Sequence, residues 1–161
     1  MSIDPRTIDS WVFATGMIRS GTTFLATILS SPTTVDYIHE PFNGGYILPE
    51  RIALRPRYVA EGDRSVSARR YREHVGRLFT YDIGMRSARY DNDPMLRRLA
   101  KRFVGSRGPV HLRLAKANRW RKHVLIKDPM AGLTTEFLYR KFGVKAVIIV
   151  RGNGNSGSAG K

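Results

Sequence analysis

The residues with the clearest chemical potential form a short polar segment, Arg19 to Thr23, between an apolar run and a helix-like pattern. The apolar run ends in Thr15 and Gly16, and the segment then offers hydroxyls and backbone N–H groups at the start of a helix. A helix N-terminus carries about half a positive charge and has unsatisfied donors, so it favours a phosphate-like anion. The segment is therefore predicted to hold an anion, with Arg19 adding a permanent charge.

This loop contains two glycines but no lysine. Gly16 permits a sharp turn, and Gly21 permits the backbone to approach a ligand closely. The common nucleotide-binding loop ends in Gly-Lys-Ser/Thr, whereas Gly21 is followed here by two threonines. In isolation the segment also fits a capped helix, with a hydroxyl residue as the N-cap and Arg19 in solvent. The apolar strand before it and the helix after it favour the anion loop.

Glu40 and His39 are the candidate bases. They belong to "VDYIHEPF" (35–42), which is predicted to be a second short strand running into a turn. Ligand sites of parallel sheets lie at the carboxyl edge of the strands, where Glu40 would emerge. Neighbours in a strand point to opposite faces, so only one of the two is expected to face the site, and Glu40 is preferred. His39, which titrates near neutrality, is the alternative; otherwise it is a hydrogen-bonded structural residue.

Hydrophobic patterning predicts the elements that must position these groups. Strands are predicted at 11–15, 35–38, 123–127 and 145–150, and a helix follows the first and the third of them. Strand–helix–strand at this spacing is a βαβ unit, so the sheet is predicted to be parallel. The fold class is therefore α/β: a three-layer, P-loop-like domain with the anion loop between the first strand and its helix.

Four predicted helices have apolar residues that recur on one face: Phe24, Leu25, Ile28 and Leu29; then Tyr71, Val75, Leu78 and Phe79; then Leu96, Leu99, Ala100 and Phe103; and finally Leu133, Phe137, Leu138 and Phe142, with Gly143 ending the helix. The near-continuous apolar run 144–150 is typical of a central strand covered on both faces. Residues 46–65 are predicted to be a loop, and "GSRGP" (105–109) a turn.

Composition limits the functional classes. The chain has 161 residues, enough for one domain, and a net charge of +15 that favours anionic partners. It has no cysteine, which excludes disulfides and thiolate chemistry, and its four histidines are scattered, so no metal site is expected. No run of about 18 apolar residues occurs, so no membrane span is expected. The N-terminus lacks an apolar signal core, which favours a cytoplasmic protein.

The segment "RSGTTFLATILSSPTTVDYIHEPFN" resembles the start of a sulfotransferase, specifically the bacterial carbohydrate-type enzymes. The resemblance resumes at "VLIKDPMAGLTTEFLYRKFGVKAVIIVR", and the two stretches cover somewhat under half of the chain. It implies transfer of a sulfuryl group from 3′-phosphoadenosine 5′-phosphosulfate (PAPS) to a hydroxyl of a carbohydrate or similar acceptor, with no metal required. In that family the 5′-phosphosulfate is bound by the segment matching Arg19, Ser20, Gly21, Thr22 and Thr23.

The resemblance also implies roles for residues farther along the chain. Lys127 matches a catalytic-site lysine at a strand end, and Arg151 matches an arginine that holds the 3′-phosphate. Carbohydrate and tyrosine sulfotransferases generally use a glutamate in about the place of Glu40, and a related branch uses histidine, which corresponds to His39. Asp128 is interpreted as a helix N-cap or as a partner that holds Lys127.

The resemblance ends after Arg151. Family members continue with a turn and a helix whose serine also binds the 3′-phosphate; Ser158 falls near that place, but in the glycine-rich tail "GNGNSGSAGK". The interpretation is an incomplete, C-terminally truncated sulfotransferase-like domain over 1–151 and a flexible tail over 152–161. The tail also approaches a Walker-type loop, but Asn155 stands where its first glycine should be.

Several alternatives stay open. The charge suggests a basic nucleic-acid-binding module, although no nucleic-acid motif is recognisable. The segments "SGTT" and "SAGK" suggest a P-loop kinase or other nucleotide-binding protein, and an inactive sulfotransferase fragment is the fourth possibility. The arginine-rich middle is either an acceptor-binding face for an acidic glycan or a solvated surface. Trp120 either stacks on a ring or is half-buried in packing.

Overall fold

The computed structural model describes residues 4–43, 58–60, 62–85, 94–96, 107–129 and 131–150. The strands are β1 (Ser10–Gly16), β2 (Val35–His39), β3 (His123–Lys127) and β4 (Lys145–Ile149). The main helices are α1 (Thr22–Leu29), α2 (Val66–Phe79), α3 (Arg107–Ala117) and α4 (Thr135–Phe142). Short 3₁₀ helices cover Pro5–Thr7 and Gly132–Thr134.

The four strands form one parallel sheet in the order β2-β3-β1-β4. The register places Ala14 of β1 beside Lys127 of β3, and Lys127 beside His39 of β2. The carboxyl ends of β1, β2 and β3 therefore lie at one edge of the sheet. The predicted α/β class and the parallel direction of the strands are confirmed.

Helices cover both faces of the sheet. Ala26 of α1 packs with Ala14 and Leu125 on one face, whereas Leu138 of α4 belongs to the core on the other face, with Phe13. The chain passes from β1 to β2 across β3, and from β3 to β4 across β1. Right-handed crossovers that run in opposite directions place their helices on opposite faces of the sheet. This agrees with the predicted three-layer arrangement.

The adjacent strands β1 and β3 create a topological switch point, since the connections that follow them leave in opposite directions. Open α/β sheets bind ligands outside the carboxyl ends of the strands at such a switch point. The fold therefore places the loop after Gly16 and the segment after Lys127 on either side of the expected ligand position.

The predicted face of α1 is not the face that it buries. Thr22 and Ala26 are its buried residues, whereas Phe24 and Ile28 are exposed by 73% and 52%. Only a small residue fits where α1 lies against Ala14 and Leu125, so the larger apolar side chains point away from the sheet. By contrast, the predicted apolar face of α2 is confirmed: Tyr71, Val75, Leu78 and Phe79 are buried.

The prediction that 144–150 forms a central, doubly covered strand was wrong. In the described part of the chain β4 lies at the edge of the sheet, and Ile148 is 60% exposed. An apolar run indicates that a strand is hydrophobic, but it does not indicate whether the strand is central or at the edge of a sheet. None of the helices in the described ranges has the length and apolar character needed to cross a bilayer.

Two more predictions concern the middle of the chain. The turn predicted at 105–109 was wrong for its second half, because Arg107, Gly108 and Pro109 open α3; proline is tolerated in a first helical turn. The predicted helix from Pro94 lies mostly outside the described residues. The predicted end of α4 is confirmed, since Gly143 adopts the left-handed conformation with φ 66° and caps it.

Candidate active site

The anion loop runs from the end of β1 to the start of α1. It turns tightly, with the Ser20 N–H donating to the Met17 carbonyl at 3.1 Å. Gly21 is the N-cap, in the left-handed region at φ 93°, and no side chain caps the helix. The capped-helix interpretation, with Ser20 or Thr22 as the N-cap, was therefore wrong. The first N–H groups of α1 remain directed at the space where an anion would lie.

Two features of the loop indicate a constrained backbone. Arg19 is exposed, yet it adopts a left-handed conformation at φ 67°, which is uncommon for a residue with a side chain. Gly16 lies against β4 so closely that a Cβ there would collide with the Ile149 carbonyl oxygen and lie 3.0 Å from the Ser20 hydroxyl. Gly16 is therefore required by close packing, and Arg19 is held in an energetically costly conformation.

Unpartnered buried hydroxyls surround the switch point, and the sequence predicted only the one in the loop. Among the described residues, Thr15 Oγ1, Ser20 Oγ and Thr135 Oγ1 are buried without a hydrogen-bond partner. Thr15 is the penultimate residue of β1, and its hydroxyl would lie 3.9 Å from a Cβ on Gly132, in the segment after β3. Buried polar groups are normally satisfied, so these hydroxyls fit contacts to a ligand or water.

Lys127 and Glu40 form an ion pair at the same edge of the sheet. The Lys127 ammonium donates to Glu40 Oε1, and Asn43 Nδ2 donates to Glu40 Oε2 at 2.7 Å. Burial would raise the pKa of Glu40, but these hydrogen bonds outweigh it and hold the pKa below its ordinary value. Glu40 is therefore a carboxylate at neutral pH, beside a buried cation.

His39 lies next to this pair rather than on the opposite face of the strand. Its Nε2 is 3.7 Å from Glu40 Oε1, and its Nδ1 is 2.6 Å from the Tyr37 hydroxyl. The prediction that only one of the two would face the site was wrong, because β2 ends at His39 and Glu40 has a left-handed φ of 50°. The alternation of a strand does not extend through such a residue.

The electrostatics of His39 favour the neutral imidazole. Burial is the main cause that lowers its pKa to about 4, and Lys127 acts in the same direction, against the attraction of Glu40. A neutral imidazole can either donate to or accept from the Tyr37 hydroxyl at Nδ1, depending on its tautomer. His39 is thus a neutral neighbour of the carboxylate at physiological pH.

Asp128 makes two hydrogen bonds that the sequence did not predict. Its carboxylate accepts a hydrogen bond from the Phe42 N–H at 2.8 Å, and its own N–H donates to the Ala14 carbonyl at 3.0 Å. Asp128 is fully buried and therefore links the ends of β1 and β3 to the turn after Glu40. It supports the backbone from which the Glu40 side chain projects.

The structure thus gathers most of the predicted site residues at one edge. Thr15, Asp128 and Glu40 each follow one of three residues that lie side by side in the register of β1, β3 and β2. Arg151 and Ser158 lie outside the described residues. Within the described residues, no three His, Asp or Glu side chains are grouped as metal ligands would be.

Comparison of the chain with protein-family models, with curated proteins and with solved structures finds no match.

Proposed function

We propose that this chain is a PAPS-dependent sulfotransferase domain of P-loop-like type, acting on a hydroxyl of a carbohydrate or similar acceptor. One observation carries the proposal: the register sets the end of β1, which leads into the Arg19–Thr23 loop, next to the end of β3, where Lys127 pairs with Glu40. An anion site next to a cation and a carboxylate is the combination that group transfer to a hydroxyl requires.

The chemistry assigns a role to each group. The acceptor oxygen bonds to sulfur while the bond from sulfur to the 5′-phosphate oxygen breaks, and adenosine 3′,5′-bisphosphate leaves. Glu40 takes the proton of the acceptor hydroxyl. Arg19, the N-terminus of α1 and Lys127 offset the charge that develops on the leaving phosphate. The Lys127 ammonium interacts with both the Glu40 carboxylate and the donor.

Donor binding is assigned to the loop. Ser20, Gly21, Thr22 and Thr23 offer N–H groups and hydroxyls to the 5′-phosphosulfate, and the unpartnered Ser20 hydroxyl supports this assignment. Arg151 and Ser158 are assigned to the 3′-phosphate from the family resemblance.

Ligand binding separates this function from its alternatives. Calorimetry should show that the protein binds adenosine 3′,5′-bisphosphate more tightly than ATP with magnesium or duplex DNA. Arg19→Ala should weaken that binding by about 1.5–3 kcal/mol, the range for a hydrogen bond to a charged group. Arg6→Ala is the matched control, because Arg6 is an exposed arginine before β1, at the opposite edge of the sheet.

Radiolabelled transfer from PAPS to a panel of saccharides tests the reaction itself. Preference for ATP with magnesium would favour a P-loop kinase, and preference for DNA would favour a nucleic-acid-binding module. Bisphosphate binding without transfer to any acceptor would indicate an inactive sulfotransferase fragment. Any of these three results would overturn the proposed activity.

A further inference from the structure

A pocket lined by aromatic rings and hydroxyls lies beside β2, between the end of α1 and the end of α3. Its volume is about 460 Å³, and ligand pockets commonly occupy about 300–1,000 Å³. Trp120, Tyr37 and His111 line it, together with Ser31 and Thr33. None of the described residues that line it is a lysine or an arginine, although the chain has a net charge of +15.

Trp120 is the most exposed of these rings, with 73% of its surface accessible. Asn118 fixes the backbone that carries it. The Trp120 N–H donates to Asn118 Oδ1 at 3.0 Å, and Asn118 Nδ2 donates to the Thr33 carbonyl at 2.9 Å and to Asp36 Oδ1 at 2.7 Å. The backbone of the indole is therefore tied to the turn before β2, which reduces the ordering cost of binding a ligand there.

Tyr37 and His111 form another side of the pocket. Their rings meet edge to face with centroids 4.6 Å apart, and the Tyr37 hydroxyl lies 2.6 Å from Nδ1 of His39, so Tyr37 is held at both ends. Burial and the charge of Arg107 lower the pKa of His111. Its imidazole is therefore neutral at pH 7 and has one donor and one acceptor nitrogen.

The hydroxyls at the end of α1 are acceptors for a ligand. Ser30 Oγ donates to the Ala26 carbonyl at 2.7 Å. Ser31 Oγ donates in the same way to the Ile28 carbonyl at 2.8 Å. Each hydroxyl has one proton and two lone pairs, so both oxygens can still accept hydrogen bonds. The pocket therefore suits a ligand that donates from hydroxyls.

The charges around the pocket disfavour an anion. Asp36, which lines the pocket, is 2% exposed and is already paired with Arg121. Helices α1 and α3 both end at the pocket, where their last carbonyls carry a partial negative charge. A ligand with hydroxyl donors and an apolar face matches this lining better than an anion does.

We propose that this pocket binds an uncharged sugar ring, whose apolar face lies on Trp120 and whose hydroxyls donate to the oxygens of Ser30 and Ser31. Sugars offer both an apolar C–H face, which suits an aromatic ring, and hydroxyl donors. The inference goes beyond sulfuryl transfer, because it assigns a saccharide site separate from Glu40 and Lys127 and requires no reaction there.

Nuclear magnetic resonance titration of the whole chain with cellobiose, lactose and maltose tests the site. At least one of these uncharged disaccharides should shift amide signals at 30–37 and 111–120, and it should bind more tightly than glucuronate or tetramethylammonium. Trp120→Ala should weaken that binding about two- to tenfold, the range for an aromatic contact. Trp120→Phe, which keeps an aromatic face, should lose less.

The matched control is Tyr139→Ala, which removes a ring that is 64% exposed on α4 and does not line the pocket. Its affinity for the disaccharide should be unchanged. The emission of Trp11, which is 8% exposed, reports in urea denaturation whether Trp120→Ala is folded.

Tryptophan fluorescence gives a second readout, because the chain has two tryptophans and Trp11 is buried. A bound sugar should cover Trp120 and reduce the quenching of the emission by acrylamide. Absence of shifts with all three disaccharides would overturn the proposal, and so would an equal loss of affinity in Tyr139→Ala. Tighter binding of glucuronate or tetramethylammonium would overturn it by making the pocket an ion site. These measurements use no PAPS, so their outcome is independent of whether the chain transfers a sulfuryl group.

Discussion

Glu40 and Lys127 are joined twice, once through their side chains and once through their backbones. The ammonium of Lys127 contacts the Glu40 carboxylate, and the Glu40 N–H donates to the Lys127 carbonyl at 2.7 Å. The two partners are unequally buried: the Lys127 side chain is 3% exposed and the Glu40 side chain 17%. The backbone link holds Glu40 at its positive φ, and the side-chain link neutralises the buried ammonium.

Because the two side chains are unequally buried, removing Glu40 should lower the free energy of unfolding more than removing Lys127. Glu40→Ala leaves a buried, uncompensated ammonium and should lower the free energy of unfolding by about 3–5 kcal/mol. Lys127→Met should cost only about 1 kcal/mol, because Glu40 is partly hydrated and keeps its hydrogen bond from Asn43. Urea denaturation at pH 7 measures both. Equal losses for the two variants would contradict this account of the pair.

Glu40→Gln separates the catalytic role from the structural one. The amide oxygen can still accept from Lys127, so the fold should persist, but the amide cannot take a proton. Sulfuryl transfer should fall by about 100- to 10,000-fold, the usual contribution of a general base. Affinity for adenosine 3′,5′-bisphosphate should change little, because the loop after β1 provides that contact.

His39→Asn is the matched control for the glutamine variant. His39 is neutral at pH 7 and lies beside the carboxylate rather than in place of it, so the loss of transfer rate should be smaller than for Glu40→Gln. An inactive histidine variant together with an active glutamine variant would make His39 the base. Rate assays on both proteins, with calorimetry for donor binding, distinguish the two assignments.

The sequence predicted the parts of this fold that local patterning specifies. The strands and the buried face of α2 follow from hydrophobic periodicity. The buried face of α1 was predicted wrongly because periodicity identifies an apolar stripe, but not which side of the helix packs against the sheet. The start of α3 was mistaken because Gly108 and Pro109 are also turn residues. The exposure of β4 depends on strand order, which no local pattern specifies.

The sequence predicted which residues belong to the candidate site, but not which of them contact one another. The resemblance named Glu40 and Lys127, yet they are 87 residues apart, and their pairing depends on the register of β2 and β3. The Thr15 and Thr135 hydroxyls carry no local signal, since their burial depends on packing between segments that are distant in the chain. Trp120, expected to be half-buried if it packs, is 73% exposed.

Gly16 provides a stability test of the loop geometry. A Cβ at this position collides with the Ile149 carbonyl oxygen, so Gly16→Ala should destabilise the protein by about 1–3 kcal/mol. Gly76→Ala is the control: nothing lies within 4 Å of a Cβ there, and the residue is inside α2. That change should stabilise by about 0.5–1 kcal/mol. Thermal and urea unfolding of both variants would contradict the geometry if the two changes had the same sign.

The surroundings of His39 make folding stability depend on pH. Burial is the largest cause that lowers its pKa from 6.5 to about 4, and Glu40 opposes this. Lys127, His111 and Arg107 lower the pKa further through their charges. His111 has a lowered pKa of its own, from partial burial and from Arg107. Both imidazoles therefore resist protonation in the folded state.

Between pH 6.5 and about 4 the unfolded chain binds a proton at residue 39 that the folded chain does not. The stability that a neutral His39 allows is therefore present above pH 6.5 and decreases as the pH falls. The loss should reach about 2–3 kcal/mol near pH 4.7, from 1.36 kcal/mol per pKa unit. His39→Gln, which cannot titrate, should flatten the free energy of unfolding between pH 7 and 4.7, and His111→Gln should flatten it less. Urea denaturation of the parent and both variants across this interval isolates the histidine contributions as differences from the parent, because the carboxyl groups titrate in all three proteins. An unchanged slope in the His39 variant would show that this imidazole is not the group that titrates.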